Sequence, residues 1–143
     1  MNTETDFTIA PRLAADSLLL QRGPLSELRL VNDCRWPWLM LVPRVPGACE
    51  LHDLSPDEIA ALFAQVRTVS AALQSATACA SINVAALGNV VAQLHVHVVA
   101  RSPADPNWPG PVWGYGTPVP YPDAVPQDFA TRVVQALAAT ERD

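Results

Sequence analysis

A chain of 143 residues fits one domain spanning 1–143, and half of its residues are apolar, so a packed core is affordable without disulfide or metal staples. The net charge is -5 and all nine basic residues are arginines with no cluster among them, which argues against a nucleic-acid partner. Cys34, Cys49 and Cys79 are odd in number and lack metal-like spacing, so they read as free, inert thiols in or near the core of a protein from a reducing, cytoplasmic compartment.

The first residues are acidic and polar, unlike a secretory signal. Residues 8–16 suit a short helix and Ser17 to Gln21 a strand, turned by Arg22-Gly23-Pro24. Glu27 to Val31 alternates like a half-buried strand, and Asn32 to Pro37 is a loop. Trp38 to Val42 is a short apolar strand closed by Pro43 and the Pro46-Gly47 turn. Ser55-Pro56-Asp57-Glu58 is a capping box, in which Ser55 and Glu58 each satisfy the other's backbone N–H. Pro56 suits the first helical position, and the two carboxylates suit the positive end of the helix dipole. Leu54 and Ile59 are spaced for a hydrophobic staple, and apolar residues from Ile59 to Leu73 keep helical spacing to about Gln74.

Ser81 to Leu87 and Val91 to Arg101 read as strands joined by a Gly88-Asn89 turn, hence an antiparallel pair. The polar residues and Gly88 inside this long apolar stretch favour two buried strands over a membrane span. Residues 102–126 hold eight of the fourteen prolines, two of the four tryptophans and both tyrosines. Such a segment is neither a regular helix nor a central strand, and an extended coil across the body is expected. Gln127 to Thr140 is helical through Phe129, Val133, Val134 and Leu137. The expected class is α+β: an antiparallel sheet with a main helix packed on one face and an extended, Pro/Trp-rich C-terminal segment.

The chemistry concentrates in Gln93-Leu94-His95-Val96-His97. On a strand, Gln93, His95 and His97 share one face and Leu94, Val96 and Val98 the other. A row of polar side chains in an apolar strand is either well paired inside the fold or used at a cleft. A neutral imidazole attacks phosphorus readily to give a phosphoramidate, which splits one hard displacement into two easier ones, and a second imidazole can steady a non-bridging oxygen. Imidazoles two apart on a strand can also share a metal ion, but the remaining histidine, His52, sits at a helix start and reads as a surface residue.

The stretch resembles the pattern of the histidine triad (HIT) superfamily, His-φ-His-φ-His-φ-φ with φ apolar, with Gln93 in first place. Gly88-Asn89-Val90-Val91 is similar to the family's block before the triad. Leu30-Val31-Asn32 with Leu39 to Arg44 resembles its nucleotide-facing strands, and Glu50 to Glu58 the start of its main helix. The likeness covers roughly residues 17–101 and is nearest to the dinucleoside polyphosphate and nucleoside phosphoramidate hydrolases. It implies an antiparallel sheet with helices on one side, a homodimer, a nucleotide substrate, and no cofactor or required metal. It implies that His95 attacks the α-phosphorus and carries the nucleotidyl group, that His97 contacts phosphate oxygens, and that Gln93 completes the catalytic set. Asn32 would face the ribose. Asn83, Gly88 and Asn89 would lie near the phosphates or orient the nucleophile.

Glutamine cannot titrate, so Gln93 cannot carry a proton, and losing a general acid costs about 10²–10⁴-fold. Val90 replaces the family's Ser/Thr, and Ala100 its usual Pro before Arg101. A nucleotide-binding or sensor protein with weak or no turnover is therefore the alternative, and a partner-binding role for the Trp/Pro-rich segment a further one. Arg101 is a candidate phosphate ligand, and Trp108 and Trp113 are candidates to line the base pocket or a dimer seam. Plainer readings stand beside all of these: Asn32 and Asn89 as turn residues, Asn83 as a satisfied core amide, Arg101 as a solvated strand end, and Trp108 and Trp113 as anchors of the coil.

Overall fold

The computed structural model describes residues 6–122 and 127–140. The elements are α1 (Pro11–Ala15), β1 (Ser17–Arg22), β2 (Ser26–Val31), β3 (Trp38–Pro43), a 3-10 turn (Leu51–Asp53), α2 (Pro56–Thr77), β4 (Ser81–Ala86), β5 (Val96–Arg101) and α3 (Gln127–Thr140). The strands form one antiparallel sheet in the order β1-β2-β3-β5-β4. This is the expected α+β architecture. The last four residues of the segment expected to be extended, 123–126, lie outside the described residues.

Alternation along the strands divides the sheet into two faces. Leu28, Leu30, Leu39, Leu41, Val96 and Val98 meet Leu62, Val66, Val69 and Leu73 of α2, and Val133 and Leu137 of α3, in the main core. Leu62 and Leu73 are fully buried, so truncating either to Ala costs about 2–5 kcal/mol. The capping box is present at both ends: Glu58 N–H donates to Ser55 Oγ (3.1 Å) and Ser55 N–H to Glu58 Oε1 (2.9 Å). α2 runs to Thr77, three residues past Gln74, and stops at Ala78, whose φ of 53° is left-handed.

The opposite face is covered from two sides. Phe7, Ile9, Ala10 and Leu13 pack on Met40 and Val42. Below them Arg29 pairs with Glu27 (2.9 Å) and donates to Ser17 Oγ (2.7 Å), and Ser17 Oγ donates to the Leu13 carbonyl, which fastens α1 to the sheet. On the other side Trp36, Trp38, Val99 and Val112 form a second cluster with Trp113, which seats the proline-rich segment. A gap between the two coverings leaves the middle of β3 and β5 open as a cleft.

Three expectations are corrected here. The strand expected from Val91 starts at Val96, and residues 87–95 are a connection with no strand of its own rather than a two-residue turn. The Leu94 N–H donates to the Ala48 carbonyl (2.9 Å), so this stretch is held to the loop after β3 instead of the sheet. Arg101 is not a solvated strand end but only 2% exposed. Its guanidinium donates to Asp105 (2.7 and 3.1 Å), the Gly110 carbonyl (2.6 Å) and Asn83 Oδ1 (2.9 Å). A coil without ladder hydrogen bonds needs such a clasp. Cys79 is buried, but Cys34 and Cys49 are exposed rather than in or near the core. Among the described residues, no helix is long and apolar enough to cross a membrane.

Candidate active site

The cleft has a volume of about 670 Å³, within the range of small-molecule sites. His97 rises from β5 on the open face, opposite Met40 of β3, and His95 lies just before the strand. Both rings line the cleft, with centroids 4.9 Å apart and planes at 82°. The pairing inferred from strand alternation therefore holds for the two histidines although only His97 is in a strand.

Their hydrogen bonds define their protons. His95 Nδ1 lies 2.7 Å from the Gln93 carbonyl oxygen. A carbonyl only accepts, so Nδ1 carries the hydrogen, and in the neutral ring it is Nε2 that holds the lone pair. His97 Nδ1 accepts from the indole N–H of Trp38 at 2.9 Å. An indole only donates, so the His97 proton sits on Nε2. Burial first, and the His95 ring second, lower the His97 pKa to about 3, so this ring is neutral at physiological pH. One imidazole thus presents a base and the other a donor.

The other expected residues divide. Asn32 and Asn89 line the cleft. Asn32 Oδ1 also accepts from the Tyr121 N–H (3.0 Å), tying the β2–β3 loop to the proline-rich segment. Asn83 shares the His97 face of the sheet but is engaged by Arg101 and does not line the cleft. Gly88 is exposed between two cleft residues, and a Cβ there would meet only ordinary contacts, from 3.7 Å outward. The Gln93 side chain is turned away: Oε1 accepts from the Ala10 N–H (2.7 Å) and Nε2 donates to the Thr8 carbonyl (2.9 Å). Its backbone carbonyl, not its amide, is what touches His95. The face-sharing argument fails for Gln93 because residues before Val96 have left the sheet.

Arg12, Asp16, Asp33 and Arg35 line the cleft and carried no earlier expectation. Arg12 and Asp16 of the α1 region stand 3.5 Å apart at the rim and are exposed, a weak pair. Arg35 binds Asp33 through two nitrogens and lies over the Trp36 ring. Burial would raise the Asp33 carboxyl, but hydrogen bonds from the Arg35 side chain and backbone and from the Val119 N–H outweigh it and hold the group below its ordinary range. Trp113 packs edge-on against both Trp38 and His97 and lines the cleft, so it is anchor and wall together. Trp108 lies over the Arg101 guanidinium and away from the cleft. Of the two tryptophans of 102–126 weighed as pocket residues, Trp113 lines the cleft and Trp108 does not. Nothing in the sequence linked Trp38 to His97, 59 positions later.

Comparison with known proteins gives a consistent answer. The HIT domain family matches residues 12–104. A histidine triad protein from Sinorhizobium meliloti is 45% identical, with 92% of this chain and 97% of that one covered and a TM-score of 0.89. A histidine triad protein from Marinobacter aquaeolei is 38% identical over 94% and 98% of the two chains (TM-score 0.88), and one from Bradyrhizobium japonicum 40% identical over 95% and 96% (TM-score 0.80). No curated protein matches the chain. The chain belongs to the histidine triad (HIT) domain family.

Proposed function

We propose that the protein is a nucleotide phosphohydrolase or nucleotidyl transferase that acts on phosphoanhydride or phosphoramidate bonds through a nucleotidyl-His95 intermediate. The observation that carries this reading is the pair of hydrogen bonds, Trp38 N–H to His97 Nδ1 and His95 Nδ1 to the Gln93 carbonyl, that turns the Nε2 atoms of two adjacent rings to opposite roles in one cleft. His95 Nε2 attacks the phosphorus, an N–P bond forms, and the bond to the leaving group breaks. The ring, still protonated at Nδ1, becomes cationic, and the Gln93 carbonyl accepts from that N–H and steadies the charge. The His97 Nε2–H donates to a non-bridging oxygen. Water, or another acceptor in a transfer, then attacks the phosphorus and gives up a proton to solvent, while the N–P bond breaks and its electron pair returns to His95 Nε2. Asn32 and Asn89 are proposed to contact the ribose and phosphates.

Since the Gln93 amide is engaged by Thr8 and Ala10, the proton for the leaving group comes from solvent. That favours leaving groups stable without protonation. The alternative of nucleotide binding with weak turnover draws on the same feature. A homodimer belongs to the reading: β4 is an edge strand with Val84 43% exposed, and light scattering tests it.

The deciding experiment is intact mass after mixing with a nucleoside phosphoramidate or dinucleoside polyphosphate. An increment of one nucleotidyl group in the wild type, absent in His95→Ala while nucleotide binding persists, supports the proposal. Equal turnover by His95→Ala refutes it. Binding without turnover or adduct in the wild type selects the sensor alternative.

A further inference from the structure

We infer that Trp38 is a positioning residue for this site: its indole N–H holds His97 as the Nε2–H tautomer and so aims a hydrogen-bond donor at the substrate beside the His95 lone pair. The inference rests on the reading of His95 and His97 as the reacting pair. Trp38 and His97 are diagonal neighbours on one face of β3 and β5, since Trp38 pairs with Val99 and His97 with Met40. Trp38 is only 8% exposed, and its ring is hemmed by Trp36 and Trp113, both edge-on with centroids at 6.2 Å, so the indole has little room to turn away.

A neutral imidazole in water exchanges its proton between two nitrogens, and only one form serves here. If His97 carried its proton on Nδ1, Nε2 would present a lone pair to an anionic phosphate, a repulsive contact in place of an attractive one. Protonating both nitrogens would require breaking the Trp38 bond. It would also place an imidazolium against His95, with Trp113 packed on its other side and, among the described residues, no carboxylate in hydrogen-bond contact. The charged groups that line the same cleft are Arg12, Asp16, Asp33 and Arg35. Two form an exposed rim pair and two pair closely with each other, while Arg101, farther along β5, is bound to Asp105. The Trp38 N–H is therefore the polar contact that selects the His97 tautomer.

The test is long-range nitrogen–proton NMR of uniformly ¹⁵N-labelled protein, joined to kinetics of two variants. In the wild type, His97 should show a single neutral Nε2–H form at pH 7 with Nδ1 unprotonated. Trp38→Phe, and replacement of Trp38 by benzothienylalanine, which keeps the two-ring shape but lacks the N–H, should both give a mixed tautomer signature. Both should lower kcat by about 10–100-fold with KM changed much less, the scale on which orienting partners of a functional histidine act. Replacement at Trp36, which also packs on Trp38, serves as the control that preserves the N–H. A wild-type His97 protonated on Nδ1 overturns the inference, as does unchanged kcat and tautomer in the benzothienyl protein. Neither result touches the His95 adduct, so the two proposals fail separately.

Discussion

Gln93 offers the sharpest trial of the structure, because its place in the triad pattern and its place in the fold predict opposite results. Its amide makes two hydrogen bonds to the backbone of the N-terminal segment, at Thr8 and Ala10. That segment carries Ile9, Ala10 and Leu13 onto Met40 and Val42 and forms the cleft wall that includes Arg12 and Asp16. In Gln93→Ala, the part-buried bond and its orphaned N–H cost about 1 kcal/mol and the exposed bond about half as much. The sum, about 1.5 kcal/mol, is a roughly tenfold rise in local opening of the segment, since about 1.4 kcal/mol is a factor of ten. Hydrogen exchange at Ala10 should therefore speed up about tenfold while exchange in β3 and β5 hardly changes. KM for a nucleotide should rise as the wall loosens, and the His95 adduct should still form. Gln93→His should not raise turnover: an imidazole cannot reproduce the paired donor and acceptor of the amide, and it would stand at a position already turned from the cleft. Unchanged exchange at Ala10 in Gln93→Ala, or a tenfold gain in kcat in Gln93→His, would refute the reasoning.

Other outcomes follow from the same structure. His97 is held neutral with a pKa of about 3, below the ordinary 6.5, so the unfolded chain binds a proton that the folded one refuses. The stability from this group is complete above about pH 6.5 and is lost as pH falls toward 3, at about 1 kcal/mol per pH unit. Urea unfolding from pH 4 to 7 should show that slope, and His97→Gln should flatten it; an equal slope would contradict it. Arg101→Met should destabilise by about 3 kcal/mol, because it leaves the part-buried Asp105 carboxylate without its guanidinium. Thermal denaturation checks this, and a shift of only a degree or two would count against the clasp. Ala78→Gly should stabilise by about 1 kcal/mol by removing a Cβ from a left-handed residue, raising Tm by about 3 °C. A lower Tm would show that the cap is unstrained.

Local rules carried much of the fold. The capping box stood in four consecutive residues and its two bonds form as written, because both partners lie within one helical turn. Alternation marked β2, an apolar run closed by Pro43 marked β3, and the proline density of 102–126 excluded ladder pairing. The end of α2 was less legible, since an alanine in the left-handed region carries none of the signal a glycine would.

By itself the sequence determined that His95 and His97 come from one short apolar stretch and lie together, because two residues on a nearly extended chain cannot be separated. It could not determine where each ring's proton sits. That depends on Trp38, 59 positions from its partner, and on the Gln93 carbonyl, a backbone group whose direction follows from the chain leaving the sheet before Val96. The tertiary structure alone also decided that the Gln93 amide serves Thr8 and Ala10 and that Arg101 clasps the coil. The physical reason is the same in each case: a hydrogen bond is satisfied by whatever the folded chain brings within about 3 Å, and spacing along the sequence does not record that.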